Sequence, residues 1–251
     1  MELWSPEWKQ QQLDLFYDEW RDCQGCQLCH ERKNVVFGAG NPDADILFVG
    51  EAPGEKEDKH GEPFVGDSGQ LLRSLCGTIG LVWDELYISN IVACRPPDNR
   101  DPLAIEKDSC LPRLQKIIYI VDPLLIVCVG KYAMNALAAG RSWGIEKEHG
   151  NLFSSPDPTV KVGGEHNGVE IPGRVFPRKG ANKKNYTLEY DMVPIFHPSY
   201  ILRVDSYDRD KDSFVEGGQA HQTLDDLQAV LDRIEQLRTE YEVIPKQLER
   251  R

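Results

Sequence analysis

Four of the seven cysteines in this chain of 251 residues have a spacing that suits metal ligation. Cys23 and Cys26 form a C-x-x-C pair, and Cys94 and Cys110 form a second pair far along the sequence. Two such pairs supply the four thiolates that hold zinc or a [4Fe–4S] cluster. An odd number of cysteines argues against a framework of disulfides. The alternative is that Cys94 and Cys110 are packed thiols.

The other three cysteines are of two kinds. Cys76 and Cys128 lie within apolar helix and strand patterns, which predicts that they belong to the core. Cys29 extends the first pair to C-x-x-C-x-x-C and could compete as a ligand. The spacing alone leaves both the metal and the part played by Cys29 open.

Three further segments place polar or aromatic residues where apolar runs end. The turn at 50–54 (GEAPG) can present backbone N–H groups to an anion or to the edge of a base. Phe64 lies in a Gly- and Pro-rich loop from which it could stack on a base. Asn90 and His197 each end an apolar run. Each feature also has a plain structural interpretation, as a tight turn, a lid on the core or a satisfied polar group.

The elements that must position these residues alternate along the chain between apolar runs and amphipathic segments. Four runs predict buried strands, at 45–50, 86–93, 124–129 and 192–196. Helical spacing is found in a first helix within 1–22 and at 68–79, 102–121, 131–139 and 224–237. This alternation predicts a three-layer α/β/α fold around a central four-stranded parallel sheet. Pro194 suggests that the last strand lies at an edge.

The chain reads as a single domain over 1–251, because no linker divides the pattern. The periodicity disappears at 151–191, which predicts an inserted loop before the last strand. Within it, the segment 174–184 (RVFPRKGANKK) has five basic residues and no acidic one. The last residues, 241–251, are predicted to form a flexible tail.

Charge and hydropathy exclude several classes of protein. The chain has 29 Lys and Arg residues against 41 Asp and Glu residues, a net charge of −12. A protein that binds DNA through its overall field is usually basic, so any DNA contact here must come from a local patch or from backbone N–H groups. No run approaches the ~18–20 apolar residues of a membrane helix. Residues 1–20 lack the features of a signal peptide, so a cytoplasmic protein without membrane contact is expected.

Together the motifs resemble those of the family 4 uracil-DNA glycosylases. The matching segments are 36–38 (VFG), 50–58 (GEAPGEKED), 61–66 (GEPFVG), 69–72 (GQLL), 90–102 (NIVACRPPDNRDP) and 197–203 (HPSYILR). The resemblance covers residues 20–150 and 190–240, in order. It implies a monofunctional DNA repair enzyme that flips uracil out of DNA and hydrolyses its N-glycosidic bond, leaving an abasic site.

The resemblance also implies ligands for a cofactor. Cys23, Cys26, Cys94 and Cys110 match the four ligands of the family's [4Fe–4S] cluster, which favours iron over zinc. The family's cluster then lies beside the segment that carries Asn90, and a structural role is expected for it.

Roles for the reacting residues follow from the same resemblance. Phe64 matches the residue that stacks on uracil, and Asn90 matches the residue that reads the base. His197 matches the catalytic histidine. Glu57 and Asn99 match catalytic positions that hold the site and its water.

Two short segments complete the predicted site. Gly50, Glu51 and Ala52 belong to the substrate-binding turn. Ala52 stands where other members of the wider superfamily have a water-activating Asp, so we assign the positioning of water to Asn99. The loop that enters the DNA is predicted to consist of Ser199, Tyr200, Ile201, Leu202 and Arg203, with Ile201 or Leu202 as the wedge that fills the vacated stack.

The predicted partner is uracil-containing DNA, and the protein is expected to act as a monomer. The sequence predicts no particular protein partner. Two alternatives remain open at this stage. One is a non-catalytic iron–sulfur module that binds DNA or recruits other proteins, and the other is a zinc-stabilised hydrolase on the same fold.

Overall fold

The computed structural model describes residues 4–137, 144–156, 189–204, 207–208, 213–214 and 216–248. These residues form a six-stranded sheet and a separate two-stranded one. The strands, in chain order, are β1 Ala39–Gly40, β2 Ile46–Gly50, β3 Tyr87–Asn90, β4 Leu125–Val129, β5 Phe153–Pro156, β6 Glu189–Ile195, β7 Tyr207–Asp208 and β8 Ser213–Phe214. The helices are α1 Pro6–Trp20, α2 Glu55–His60, α3 Asp67–Thr78, α4 Ala104–Val121, α5 Lys131–Leu137, α6 Ile145–Glu148, α7 Pro198–Arg203 and α8 Gln219–Leu248.

The large sheet has the strand order β1-β3-β2-β4-β6-β5. Its four central strands, β3, β2, β4 and β6, are parallel, which confirms the predicted parallel core. The two edge strands, β1 and β5, are antiparallel and were not predicted. β1 has two residues and β5 contains serines and a proline, so neither forms an apolar run that periodicity could detect.

The prediction that Pro194 marks an edge strand is wrong, because β6 lies between β4 and β5. The missing N–H of Pro194 is nevertheless tolerated for a local reason. The β5 partners of β6 end at Met192, and beyond that point the Pro194 carbonyl accepts from the Gly150 N–H at 2.8 Å. Since the N–H and C=O of one strand residue point to the same side, the absent donor faces the side that β5 has left.

The core lies on both faces of the sheet. Alternate residues of β2 belong to two different clusters, with Leu47 and Val49 on one side and Ile46 and Phe48 on the other. The first cluster is covered by α1, α4 and α5, and the second by α3, α7 and α8. This arrangement confirms the predicted three layers, because the central strands β2, β3 and β4 are buried on both faces.

Several segment boundaries differ from the predicted ones. β5 and β6 extend into both ends of the predicted insertion at 151–191, so the segment between strands is shorter than expected. The remainder of the insertion, with the basic segment 174–184, lies outside the described residues. Helix α8 runs to Leu248, so it includes most of the predicted tail at 241–251, and residues 249–251 lie outside the described part. No helix in the described part of the chain is long and apolar enough to cross a membrane.

Candidate functional site

The carboxyl ends of the parallel strands meet at one edge of the sheet, where an open cavity lies. Its walls come from the segments that follow β2, β3, β4 and β6. Most of the residues singled out from the sequence line it, namely Glu51, Ala52, Glu57, Phe64, Asn90, Asn99, His197, Ser199, Tyr200 and Arg203. The topology therefore brings together residues that are almost 150 positions apart in the sequence.

Gly50, at the end of β2, lies directly beside Asn90 and Phe64. A Cβ atom at Gly50 would lie 2.3 Å from Asn90 Oδ1 and 2.7 Å from Phe64 Cζ. No side chain fits there, so glycine is required for the Asn90 amide and the Phe64 ring to approach the end of β2. Gly50 itself does not line the cavity, although sequence analysis placed it in the substrate-binding turn.

Asn90 is 2% exposed, yet it lines the cavity. Its backbone carbonyl accepts hydrogen bonds from Arg113. Its side-chain amide makes no hydrogen bond within the described part of the chain. Because this amide lines the cavity without a partner among the described residues, it can bond a ligand that has matching donor and acceptor groups.

Phe64 has a left-handed backbone conformation, with φ of 55°. This conformation is rare and strained for a bulky residue, and such strain is concentrated at functional sites. Gly69 of α3 supports the loop from below, since a Cβ there would lie 1.9 Å from the Phe64 carbonyl oxygen. The ring is thereby held as a flat apolar wall beside the Asn90 amide.

Glu57 connects the turn after β2 with the loop that carries Phe64. Its carboxylate accepts from the Gly54 N–H at 3.1 Å and from the Gly66 N–H at 2.6 Å. Both carboxylate oxygens are therefore already engaged in holding two backbone segments. A Cβ at Gly54 or Gly66 would lie within 3 Å of one of these oxygens, so a side chain at either position would displace the carboxylate.

Asn99 lies in a short 3-10 turn, Pro97–Asn99, at the cavity wall. Both Asp98 and Asn99 have positive φ, of 52° and 53°, which Asn and Asp tolerate better than most residues. The Asn99 Oδ1 atom accepts from Arg95 Nε at 2.8 Å. This contact orients the amide and directs its nitrogen away from the guanidinium.

His197 caps the N-terminus of α7 with its imidazole. Nδ1 accepts from the Ser199 N–H at 3.1 Å and lies 2.8 Å from Ser199 Oγ. Burial lowers the pKa of His197 from 6.5 to about 4, assisted by the charge of Arg203. The imidazole is therefore neutral at physiological pH, and because Nδ1 is an acceptor, its single proton lies on Nε2.

Glu51 lines the cavity, and the pKa of its carboxyl group is raised. Burial, and then the nearby charge of Asp101, raise its pKa from 4.5 to about 7, while Lys107 acts in the opposite direction. Tyr132 also lines this wall, and its hydroxyl hydrogen-bonds Asp101. Sequence analysis did not single out Asp101 or Tyr132. The position of Tyr132, just after the end of β4, is the signal that could have identified it.

The predicted DNA-entering loop is the helix α7, and its residues do not all face the same way. Ser199, Tyr200 and Arg203 line the cavity, and Leu202 is 43% exposed. Ile201 is 0% exposed and belongs to the core under the sheet. The prediction that Ile201 can act as a wedge is wrong, because withdrawing it would expose the core, and Leu202 is left as the apolar residue that can reach DNA.

Four cysteines, Cys23, Cys26, Cys94 and Cys110, line a second, smaller pocket. Polar donors face three of their sulfur atoms, with Gly25 N–H at 3.4 Å from Cys23, Arg32 at 3.4 Å from Cys94 and Ala93 N–H at 3.3 Å from Cys110. Burial raises the pKa of Cys94 to about 11 and also raises that of Cys26, and the neighbouring thiols add to both shifts.

In the described residues, no three His, Cys, Asp or Glu side chains are grouped closely enough to hold a metal ion. The four cysteines nevertheless line one pocket, and four is the number of thiolates that a [4Fe–4S] cluster takes. Cys29 does not line this pocket, and Cys76 and Cys128 are fully buried core residues, as predicted.

A family model and several known relatives are those of uracil-DNA glycosylases. A family model described as the uracil DNA glycosylase superfamily matches residues 37–217. A type-4 uracil-DNA glycosylase of Thermotoga maritima is 35% identical over 195 residues, which cover 78% of this chain and 85% of that protein. One of Archaeoglobus fulgidus is 35% identical over 190 residues, with 76% and 83% covered. One of Saccharolobus solfataricus is 48% identical over 126 residues, with 50% and 58% covered.

The contact between Gly69 and Phe64 predicts unequal effects of two Gly→Ala changes in α3. Gly69→Ala places a methyl group against the Phe64 backbone, so the loop must shift and the free energy of unfolding should fall by about 1–3 kcal/mol. Gly77→Ala is the matched control, because a Cβ there meets nothing within 4 Å. It should be neutral or stabilise the helix by roughly 0.5–1 kcal/mol. Urea unfolding of both variants checks this, and equal midpoints would contradict it.

The lowered pKa of His197 predicts a particular dependence of stability on pH. The unfolded chain binds a proton at His197 near pH 6.5, whereas the folded chain does so only near pH 4. The free energy of unfolding should therefore fall as the pH is lowered from 6.5 to 4. The measurement is urea unfolding of the wild type and of His197→Asn across this range. A difference between the two that does not change with pH would contradict the assignment.

Proposed function

This chain belongs to the type-4 uracil-DNA glycosylases within the uracil-DNA glycosylase superfamily, and we propose that it removes uracil from DNA by hydrolysing the N-glycosidic bond. The observation that carries the proposal is that the amide of Asn90, unpaired within the described residues, lines the cavity beside the strained ring of Phe64. A flat ring and a free amide are the two contacts that a flipped base requires.

Asn90 would select uracil by its hydrogen-bond pattern. Its Oδ1 can accept from N3–H of uracil, and its Nδ2 can donate to O4. Cytosine presents an acceptor at N3 and a donor at C4, so an amide held in this orientation rejects it.

His197 would stabilise the departing base. Uracil leaves as an anion, and negative charge develops on its O2 atom as the bond to the sugar breaks. The neutral imidazole presents Nε2–H to the cavity, since Nδ1 is held by Ser199. A donor aimed at a developing charge typically contributes about 10²–10³ in rate.

Asn99 would hold the attacking water, and Glu57 would act as a positioning residue. Ala52 lines the cavity and offers no acidic group for water activation. The Asn99 amide, oriented by Arg95, lies on the same wall. Glu57 has both carboxylate oxygens bonded to backbone N–H groups, so its contribution is to hold Phe64 and the turn at Gly54 in place.

Leu202 and its neighbours on α7 would engage the DNA around the flipped base. Extrusion costs a few kcal/mol, least at a mismatch such as uracil opposite guanine. The exposed Leu202 can fill the vacated stack, while Ser199, Tyr200 and Arg203 face the cavity and the strand that enters it. Lys56 also lines the cavity, but its ammonium is paired with Asp67 at 2.6 Å. Its pKa is raised by that contact, so Lys56 is a poor nucleophile.

Cys23, Cys26, Cys94 and Cys110 would hold a [4Fe–4S] cluster. Their convergence on one pocket supports this ligand set, and the cluster would supply a structural cross-link rather than redox chemistry. Cys23 and Cys26 lie in the segment after α1. Cys94 lies in the loop before α4, and Cys110 lies within α4. Joining them would fix the loop between Asn90 and Cys110, which includes Asn99.

We further propose that one copy of the chain is sufficient and that it acts in the cytoplasm, where its DNA lies. The substrate class, uracil-containing DNA, is the one that the names of the type-4 relatives indicate.

Excision assays on an oligonucleotide with one uracil test the reaction and its site together. The wild type should release uracil and leave an alkali-labile abasic site. His197→Ala should slow single-turnover release by roughly 10²–10³-fold, because the donor to O2 is lost. Asn90→Ala should also slow it, and Asn99→Ala should do so if the amide holds the water. Asn41→Ala, outside the cavity, is the control, and release by all variants at the wild-type rate would refute the assignments.

Two cysteines three residues apart provide a matched test of the cluster. The purified wild type should be brown with visible iron–sulfur absorption. Cys26→Ser should lose that absorption, because one thiolate of the pocket is removed. Cys29→Ser should keep it, since Cys29 lies outside the pocket. A colourless wild type containing zinc would overturn the cluster, and loss of colour in Cys29→Ser would overturn the ligand set.

A further inference from the structure

Arg113 of α4 is a charged residue that the proposed reaction leaves unused. It is 0% exposed and is the largest of the fully buried side chains. Burying a guanidinium is costly unless its donors and its charge are satisfied. All the hydrogen bonds of Arg113 within the described residues go to uncharged oxygens, so no carboxylate compensates the charge there.

The acceptors of Arg113 are concentrated at the end of one strand. One terminal nitrogen donates to the Phe37 carbonyl and, at 3.1 Å, to Ser89 Oγ. The other donates to the Asn90 carbonyl and, at 3.4 Å, to the Ile91 carbonyl. The Nε atom is buried and has no partner in the described structure. The guanidinium thus donates mainly to the carboxyl end of β3, while its own Nε–H is left without an acceptor in the described structure.

The Arg113 contact bears on the position of the Asn90 side chain through the backbone. Its side-chain amide has no hydrogen bond within the described part of the chain, so no neighbouring polar group holds it. What remains is packing against Gly50, whose Cα hydrogen faces Asn90 Oδ1, and the position of the β3 backbone. A shift of the backbone at Asn90 would therefore move the amide directly.

We infer that Arg113 is a positioning residue that sets the height of the Asn90 amide against the base, an inference that rests on the proposed function. Only a planar fork with two terminal nitrogens can reach Phe37 on one side and Asn90 and Ile91 on the other. A lysine would keep the charge but would offer a single point of contact. Arg113 therefore acts on base recognition without touching the base.

Helix α4 holds the exit of β3 at a second point. Cys110 lies three residues before Arg113, on a neighbouring position of the same helix face. The Ala93 N–H donates to Cys110 Sγ at 3.3 Å. One helix thus carries both a proposed cluster ligand and the residue that fixes Asn90, so the two sites share a support.

A double-mutant cycle separates positioning from a general role in the core. The variants are Arg113→Lys, Asn90→Ala and the two combined, assayed by single-turnover release of uracil from single-stranded DNA. Arg113→Lys should slow release by roughly 10²-fold, as expected for a misplaced binding group. In the Asn90→Ala background the same change should cost nothing further, because the amide through which Arg113 acts is absent.

Two controls separate an effect of Arg113 on the position of Asn90 from effects on stability and on the proposed cluster. Ile117→Val alters the same helix in the core without any polar contact to β3, and it should release uracil at the wild-type rate. Arg113→Lys should keep the visible absorption of the wild type. Arg113→Gln, which is neutral and can donate to one carbonyl, takes the same place in the cycle if the lysine variant does not fold.

The outcomes distinguish this role from the proposed function itself. If the wild type leaves uracil in place, the proposed function fails. If the wild type excises uracil, three results overturn the role of Arg113 alone. In the first, Arg113→Lys releases uracil at the wild-type rate. In the second, Arg113→Lys slows release in the Asn90→Ala background by the same factor as in the wild type. In the third, Arg113→Lys loses the visible iron–sulfur absorption.

Discussion

The close approach of two strand ends to their neighbours is the constraint on which the site depends. Gly50 at the end of β2 has room for no side chain, because Asn90 and Phe64 occupy that space. Gly130, just after β4, is similarly placed, since a Cβ there would lie 2.9 Å from the His197 Cβ. These two glycines follow adjacent parallel strands. They allow a base-reading amide, a stacking ring and an imidazole to converge, although the chain between Asn90 and His197 is more than a hundred residues long.

Much of this arrangement is predictable from the sequence, for physical reasons that also explain the errors. The parallel core strands are continuous apolar runs, because both faces are buried, and their ends mark the cavity. Edge strands such as β5 are short and polar, so they are defined by their hydrogen bonds to a neighbouring strand and not by an apolar sequence pattern. The error at Ile201 has a similar origin, because two adjacent apolar residues in a six-residue helix do not reveal its phase. Arg113 escaped notice since a charged residue on an amphipathic helix normally faces water.

Helix α4 supports more of the site than its distance from the cavity suggests. Glu106, 1% exposed, caps the helix by accepting from the Leu103 N–H at 2.8 Å. The same carboxylate accepts hydrogen bonds from both terminal nitrogens of Arg100, at 2.9 and 2.7 Å. Arg100 is at the cavity wall, next to Asn99. The first three turns of α4 therefore anchor the Asn99 loop, a proposed cluster ligand and the end of β3, so the helix acts as a common frame for recognition and for water.

The charge distribution shows how a chain with a net charge of −12 can approach DNA. Several cations near the cavity are already paired within the protein, with Lys56 on Asp67, Arg95 near Glu55 and Arg100 on Glu106. Lys131 and Arg203 line the cavity without an ion pair in the described part of the chain. A site built in this way gains little from long-range attraction, which is screened beyond about 10 Å at ordinary salt. Its selectivity must come from contacts made once the base is in the cavity, where a fixed amide and a neutral imidazole act at short range.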